Sequence, residues 1–211
     1  MSSPYIIDGP SEASVSFLFA HGAGAGMDHD FMTAVAQGLA SKGIEVIRFN
    51  FPYMVQRGID GKRRPPDRQP KLLMDFAHHI KHFSDRKLVI GGKSMGGRMA
   101  SVICDESKML GLACLGFPFH PPKKPEKFRG EHLASIMTPT LILQGDRDTF
   151  GNREAVSGFT LSPSVSVEYL ADGDHSFHPR KSSGYTDQQH MDTIIKSLAA
   201  FIFQCERNKH E

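Results

Sequence analysis

Three short stretches of this chain carry side chains that can cooperate in acyl transfer. Gly92-Lys93-Ser94-Met95-Gly96 is a G-x-S-x-G motif, Gly145-Asp146-Arg147-Asp148 offers two carboxylates, and Gly173-Asp174-His175-Ser176-Phe177 offers an imidazole. A serine hydroxyl is a poor nucleophile at neutral pH; it needs a base within hydrogen-bond reach, and that base needs an acid to orient it. The three stretches supply these groups in the chain order serine, acid, histidine. Asp148 and Asp146 both stand as candidate acids, and His178 is an alternative base to His175. An attacked carbonyl also needs two N–H donors for its oxyanion, one of them expected from Met95, the residue after the nucleophile. Upstream, His21-Gly22-Ala23-Gly24-Ala25-Gly26 is a glycine-rich loop of the kind that aims an amide at developing charge.

The same glycines do not spell a nucleotide site. A dinucleotide fingerprint begun at Gly22 needs a glycine at position 27, which is Met27, and a Walker A ending at Ser94 needs one at position 87, which is Lys87. His78, His79 and His82 share one helical stretch, but no carboxylate or cysteine accompanies them at ligand spacing, so no metal is expected, and the chemistry calls for no organic cofactor.

Apolar runs at 15–20, 44–51, 88–90, 112–117, 141–143 and 165–170 must position these groups. Most are continuous rather than alternating, as in strands covered on both faces of a parallel sheet. Helical stripes lie between them: Phe31, Val35 and Leu39; Leu72, Leu73, Phe76, Ile80 and Phe83; Met95, Met99, Val102 and Ile103; and Met191, Ile194, Ile195, Leu198, Phe201 and Ile202. The alternation predicts one α/β domain over 1–211, a doubly wound, mostly parallel sheet of six or seven strands without a large cap. Ser94 then sits on the turn from the strand at 88–90 into the helix begun by Met95, which is the context of a nucleophile elbow.

With strand context, upstream loop, acid and base in this order, the chain resembles the alpha/beta-hydrolase superfamily. Its post-strand loop often reads G-x-x-D with the acid last, which favours Asp148, and its late G-x-H matches His175. The resemblance of the loop after the first strand to the superfamily's H-G-x-x oxyanion loop implies Ala23 as the second oxyanion donor, with Gly24 next. More narrowly, Leu18-Phe19-Ala20-His21-Gly22-Ala23-Gly24, Arg48-Phe49-Asn50-Phe51-Pro52-Tyr53, Gly92-Lys93-Ser94-Met95-Gly96-Gly97-Arg98 and Gly116-Phe117-Pro118-Phe119-His120-Pro121-Pro122 look like a small capless family related to dienelactone hydrolase. That family includes testis-expressed hydrolase-like proteins and a subunit of a histone-acetyltransferase complex. The resemblance implies a serine esterase or thioesterase acting through an acyl-enzyme on a small soluble molecule. Peptidase and lactonase chemistry use closely related sites. Because some relatives serve in assembly, a hydrolase-shaped binding protein with an idle site is the alternative.

Two further segments bear on substrate. Residues 52–70, read as a loop, carry Arg57, Lys62, Arg63, Arg64 and Arg68, and residues 120–129 carry Lys123, Lys124 and Lys127. Both follow strands and are expected at the carboxyl edge of the sheet beside Ser94. Arg63, Arg64 and His120 are therefore candidate substrate contacts; the competing reading has these charges only solvating exposed loops.

Composition excludes other classes. A net charge of +2, 39% hydrophobic and 23% charged residues suit a globular protein, without the basic excess expected of a nucleic-acid binder. Residues 1–5 lack a positive n-region and the run at 15–20 is too short for a signal or membrane span, so a cytoplasmic protein without a membrane partner is expected. Cys104, Cys114 and Cys205, odd in number and far apart, are expected as buried thiols. Oligomeric state has no signature in the sequence.

Overall fold

A computed structural model describes residues 4–208. Seven strands form one sheet: β1 (Tyr5–Asp8), β2 (Ser16–Ala20), β3 (Glu45–Phe49), β4 (Leu88–Lys93), β5 (Gly111–Leu115), β6 (Thr140–Gly145) and β7 (Val165–Leu170). Their spatial order is β1-β3-β2-β4-β5-β6-β7, with β1 antiparallel to β3 and every other pair parallel. The expected sheet is present, with β1 added at the edge. Arg48 of β3, almost fully buried, fastens it by a 2.7 Å ion pair to Asp8 and a 2.7 Å hydrogen bond to the Met27 carbonyl.

The central strands are buried along their whole length, because helices cover both faces. These are α1 (Asp30–Ala40), α2 (Pro52–Asp60), α3 (Gln69–His82), α4 (Met95–Ile103), α5 (Arg153–Ser157) and α6 (Asp187–Arg207). The α1 stripe Met32, Val35 and Leu39 meets the α6 stripe Ile194, Leu198 and Ile202 over Phe17, Val89 and Leu143. On the other face, Tyr53 and Met54 of α2, Leu72 and Phe76 of α3, and Met99 and Ile103 of α4 pack over Phe49, Ile90 and Ile142.

The segment 52–70 is a loop only over 61–68, which carries Arg63, Arg64 and Arg68; its first nine residues are the helix α2 and its last two open α3. Pro52 is at the first position of α2, where its missing N–H costs nothing, and Gly61 closes the helix in the left-handed region at φ 70°. Tyr53 and Met54 then turn inward. Among the described residues no helix is long and apolar enough to cross a membrane.

The chain runs from β2 outward to β3, then returns past β2 to β4 on its other side. That reversal opens a crevice at the carboxyl ends of β2 and β4, the position where open α/β sheets hold ligands.

Candidate active site

Ser94 directly follows β4 and adopts φ 49°, ψ −113°, a conformation disfavoured for a residue with a side chain. Its amide donates to the Leu115 carbonyl at 2.9 Å, which anchors the turn to β5. The small residues on either side are demanded by packing: a Cβ on Gly92 would lie 2.6 Å from the Ala20 carbonyl oxygen, and one on Gly96 would lie 2.6 Å from the carbonyl oxygens of both Ala20 and His21. So tight a turn leaves the hydroxyl facing out of the sheet.

The structure brings Ser94, His175 and Asp148 into one hydrogen-bonded line. Ser94 Oγ is 2.9 Å from His175 Nε2, and His175 Nδ1 is 2.7 Å from Asp148 Oδ2. Nδ1 faces a carboxylate, so it carries the proton, and Nε2 is left to accept from the serine. The Asp148 side chain is fully buried, where the carboxylate needs donors on every side. Gln144 Nε2 supplies one to Oδ2 at 2.9 Å and the Phe150 amide another to Oδ1 at 2.8 Å. Asp146 points elsewhere, to Arg153 at 2.8 Å on the surface. His178 is likewise turned away, to an exposed pair with Asp187 at 2.7 Å.

The loop bearing His175 is held from three sides. Lys93, immediately before Ser94, donates from Nζ to the His175 carbonyl at 2.6 Å, and its ammonium lies 5.3 Å from the centre of the Phe177 ring. Burial pulls that ammonium down to about 8, opposed by the nearby carboxylates of Asp148 and Asp174. Phe177 sits at φ 68°, unusual for a bulky residue, and its carbonyl accepts from His190 Nδ1 of α6 at 2.6 Å. Above the imidazole, the Phe150 ring lies 4.3 Å away, centre to centre, at 35°.

The upstream loop is wired to present amides. The Gly22 carbonyl accepts from His21 Nδ1 at 2.7 Å and from Tyr53 Oη at 3.3 Å, and the Ala23 carbonyl accepts from Tyr53 Oη at 2.9 Å. A trans peptide sets its N–H opposite its C=O, so the Ala23 and Gly24 amides point away from those partners. His21 has no solvent exposure; its Nε2 accepts from the Phe51 amide at 3.1 Å. Burial depresses it to about 4, which keeps it neutral and structural. Met95 opens α4, where the first amides of a helix have no carbonyl partner of their own.

A cavity of about 730 Å³ lies over Ser94 and His175, lined on the other sides by the 22–25 loop, the start of α1, Phe150 and Met191. The basic candidates are not in it. Arg63 is exposed outside it, Arg64 is tied to Asp60 at 2.7 Å, and Lys123 and Lys124 are exposed. His120 is buried against the Phe159 ring, its Nδ1 2.8 Å from the Pro121 carbonyl, and does not line the cavity. Three residues that shape the site escaped the sequence reading: Lys93, Gln144 and Tyr53. Their positions beside the motifs were visible, whereas the direction of each side chain was not.

A family model described as alpha/beta hydrolase domain matches residues 13–203. The fold is similar to that of an alpha-beta serine hydrolase homologue from Coxiella burnetii, at 22% identity and TM-score 0.68, covering 93% of this chain and 89% of that one. It is similar also to dienelactone hydrolase from Anabaena variabilis, at 19% identity and TM-score 0.70 over 95% and 90% of the two chains. A serine hydrolase without lid from Xanthomonas campestris matches at 18% identity and TM-score 0.67 over 95% and 88%. With residues 13–203 matched, and no cap inserted between the strands among the described residues, this protein belongs to the alpha/beta hydrolase family.

Proposed function

We propose that the protein is a serine hydrolase that cleaves a carboxylic ester or thioester of a small soluble substrate through an acyl-enzyme. The observation that carries this reading is the buried acid, imidazole and hydroxyl in line, with contacts of 2.7 Å and 2.9 Å. Ser94 Oγ attacks the carbonyl carbon as its proton passes to His175 Nε2. Asp148 stabilises the imidazolium, and the Met95 and Ala23 amides receive the oxyanion. As the tetrahedral adduct collapses, the bond to the alkoxide or thiolate breaks and His175 returns the proton to the leaving group. Water, activated by the same imidazole, then releases the acid and restores Ser94. An idle scaffold has no use for a buried carboxylate with three donors aimed at it, since burying such a charge costs stability unless every contact is made.

A fluorophosphonate probe tests the proposal. Covalent labelling of the wild type, abolished in Ser94→Ala, is expected. An unlabelled wild type at high probe concentration, with its fold intact by circular dichroism, would overturn the enzymatic reading in favour of a binding or assembly role.

A further inference from the structure

The cavity over Ser94 is poor in usable charge. Its far walls are Phe31, Met32 and Ala34 of α1, Phe150, and Met191 of α6. The one lysine among the described lining residues, Lys93, already gives its ammonium to the His175 carbonyl at 2.6 Å. His178 is joined to Asp187, His29 uses Nδ1 to accept from the Phe31 amide at 3.3 Å as the cap of α1, and the remaining fixed charge, Asp30, is an acid in the first turn of that helix. A carboxylate or phosphate brought here meets Asp30 and finds no guanidinium or unengaged ammonium on the cavity wall.

Resting on the serine-hydrolase reading above, we propose that this cavity selects an uncharged, apolar acyl group, a chain of roughly six to eight carbons or an aryl ring, laid along Phe31 and Met191. A volume of about 730 Å³ lies in the range of small-ligand sites and leaves room for a compact leaving group beside the chain. Each methylene that moves from water onto these side chains favours the bound acyl group, whereas a charged terminus must be desolvated with nothing to pair it. This specificity is opposite to the anion recognition that the arginine-rich segment suggests.

Turnover of p-nitrophenyl esters tests it, with fluorophosphonate labelling of the same preparation as the control for a competent Ser94. From acetate through butyrate to hexanoate, kcat/KM should rise roughly twofold to fourfold per methylene. The hemisuccinate, which matches the butyrate in its first carbons but ends in a carboxylate, should react at least about thirtyfold more slowly than the butyrate. Met191→Ala should flatten the chain-length slope, and Met191→Lys should narrow the hemisuccinate gap. A labelled enzyme with a flat slope, or one that prefers the hemisuccinate, overturns the acyl assignment and leaves the serine-hydrolase reading standing. An unlabelled, inactive protein overturns both.

Discussion

Replacing Asp148 by asparagine separates the two carboxylates of the post-β6 loop. In the wild type, three donors converge on Asp148: His175 Nδ1 at 2.7 Å, Gln144 Nε2 at 2.9 Å and the Phe150 amide at 2.8 Å. An asparagine has one oxygen and one NH2, so either orientation leaves N–H facing N–H. If the NH2 faces His175, the imidazole proton is driven to Nε2 and the serine loses its acceptor. If it faces Phe150, the tautomer survives, but the imidazolium formed during attack loses a buried anionic partner. Breaking a buried charge pair costs roughly 3–5 kcal/mol. At about 1.36 kcal/mol per tenfold, that is a loss of roughly 10²–10⁴ in kcat. Asp146→Asn removes only a solvent-washed pair with Arg153 and should change kcat by less than about threefold. The assay is kcat for p-nitrophenyl butyrate, normalised to folded protein by thermal melting. A larger loss from Asp146→Asn, or an Asp148→Asn enzyme within tenfold of wild type, would refute the reasoning.

The two buried bases, His21 and Lys93, carry further outcomes. His21 is depressed from 6.5 to about 4, so the unfolded chain binds the extra proton first. Its contribution is intact above pH 6.5 and is lost as pH falls through that window toward 4, about 3 kcal/mol in all. His21→Gln, which keeps a donor and an acceptor, should show a smaller drop in urea midpoint between pH 7 and 4.5; an unchanged drop would rule His21 out as its source. Lys93→Met keeps the apolar stem and removes the hold on the His175 carbonyl, which should lower kcat roughly tenfold with KM little changed. Since burial brings the Lys93 ammonium down to about 8 and the neutral amine donates more weakly, wild-type kcat should fall on an alkaline limb there that the variant lacks; superimposable pH profiles would exclude the ammonium charge as what positions the loop.

What was legible in the sequence was what backbone pattern dictates. Continuous apolar runs announced buried parallel strands, and the G-x-S-x-G after one of them announced a tight turn into a helix. The strand β1 went unread because four residues at a sheet edge, one of them aspartate, carry too little periodicity. The helix α2 is marked by Pro52 and Gly61, yet its nine residues are short enough to be masked by the proline- and arginine-rich loop over 61–68 that follows it. At the site, position along the chain indicated which residues could meet, but not which way they face. Asp146 and Asp148 are two residues apart, and the partners Arg153 and Gln144 that distinguish them are known only once β6 and α5 are folded. Arg64 reads as available for a substrate because its partner, Asp60, is the last residue of α2, and the turn at Gly61 that folds the loop back to it is fixed only with the helix.

The acid and the base hang on β6 and β7, the last two strands of the chain, and the base loop is clasped by His190 of the final helix through the Phe177 carbonyl. The elbow and the upstream loop belong to β2 and β4, made much earlier. During synthesis, then, the serine is made long before its proton acceptor. Hydrolytic competence arrives late: a fragment ending before residue 175 lacks the imidazole proposed as the base for Ser94, and one ending before α6 lacks both the clasp on the base loop and the helix that covers one face of the sheet.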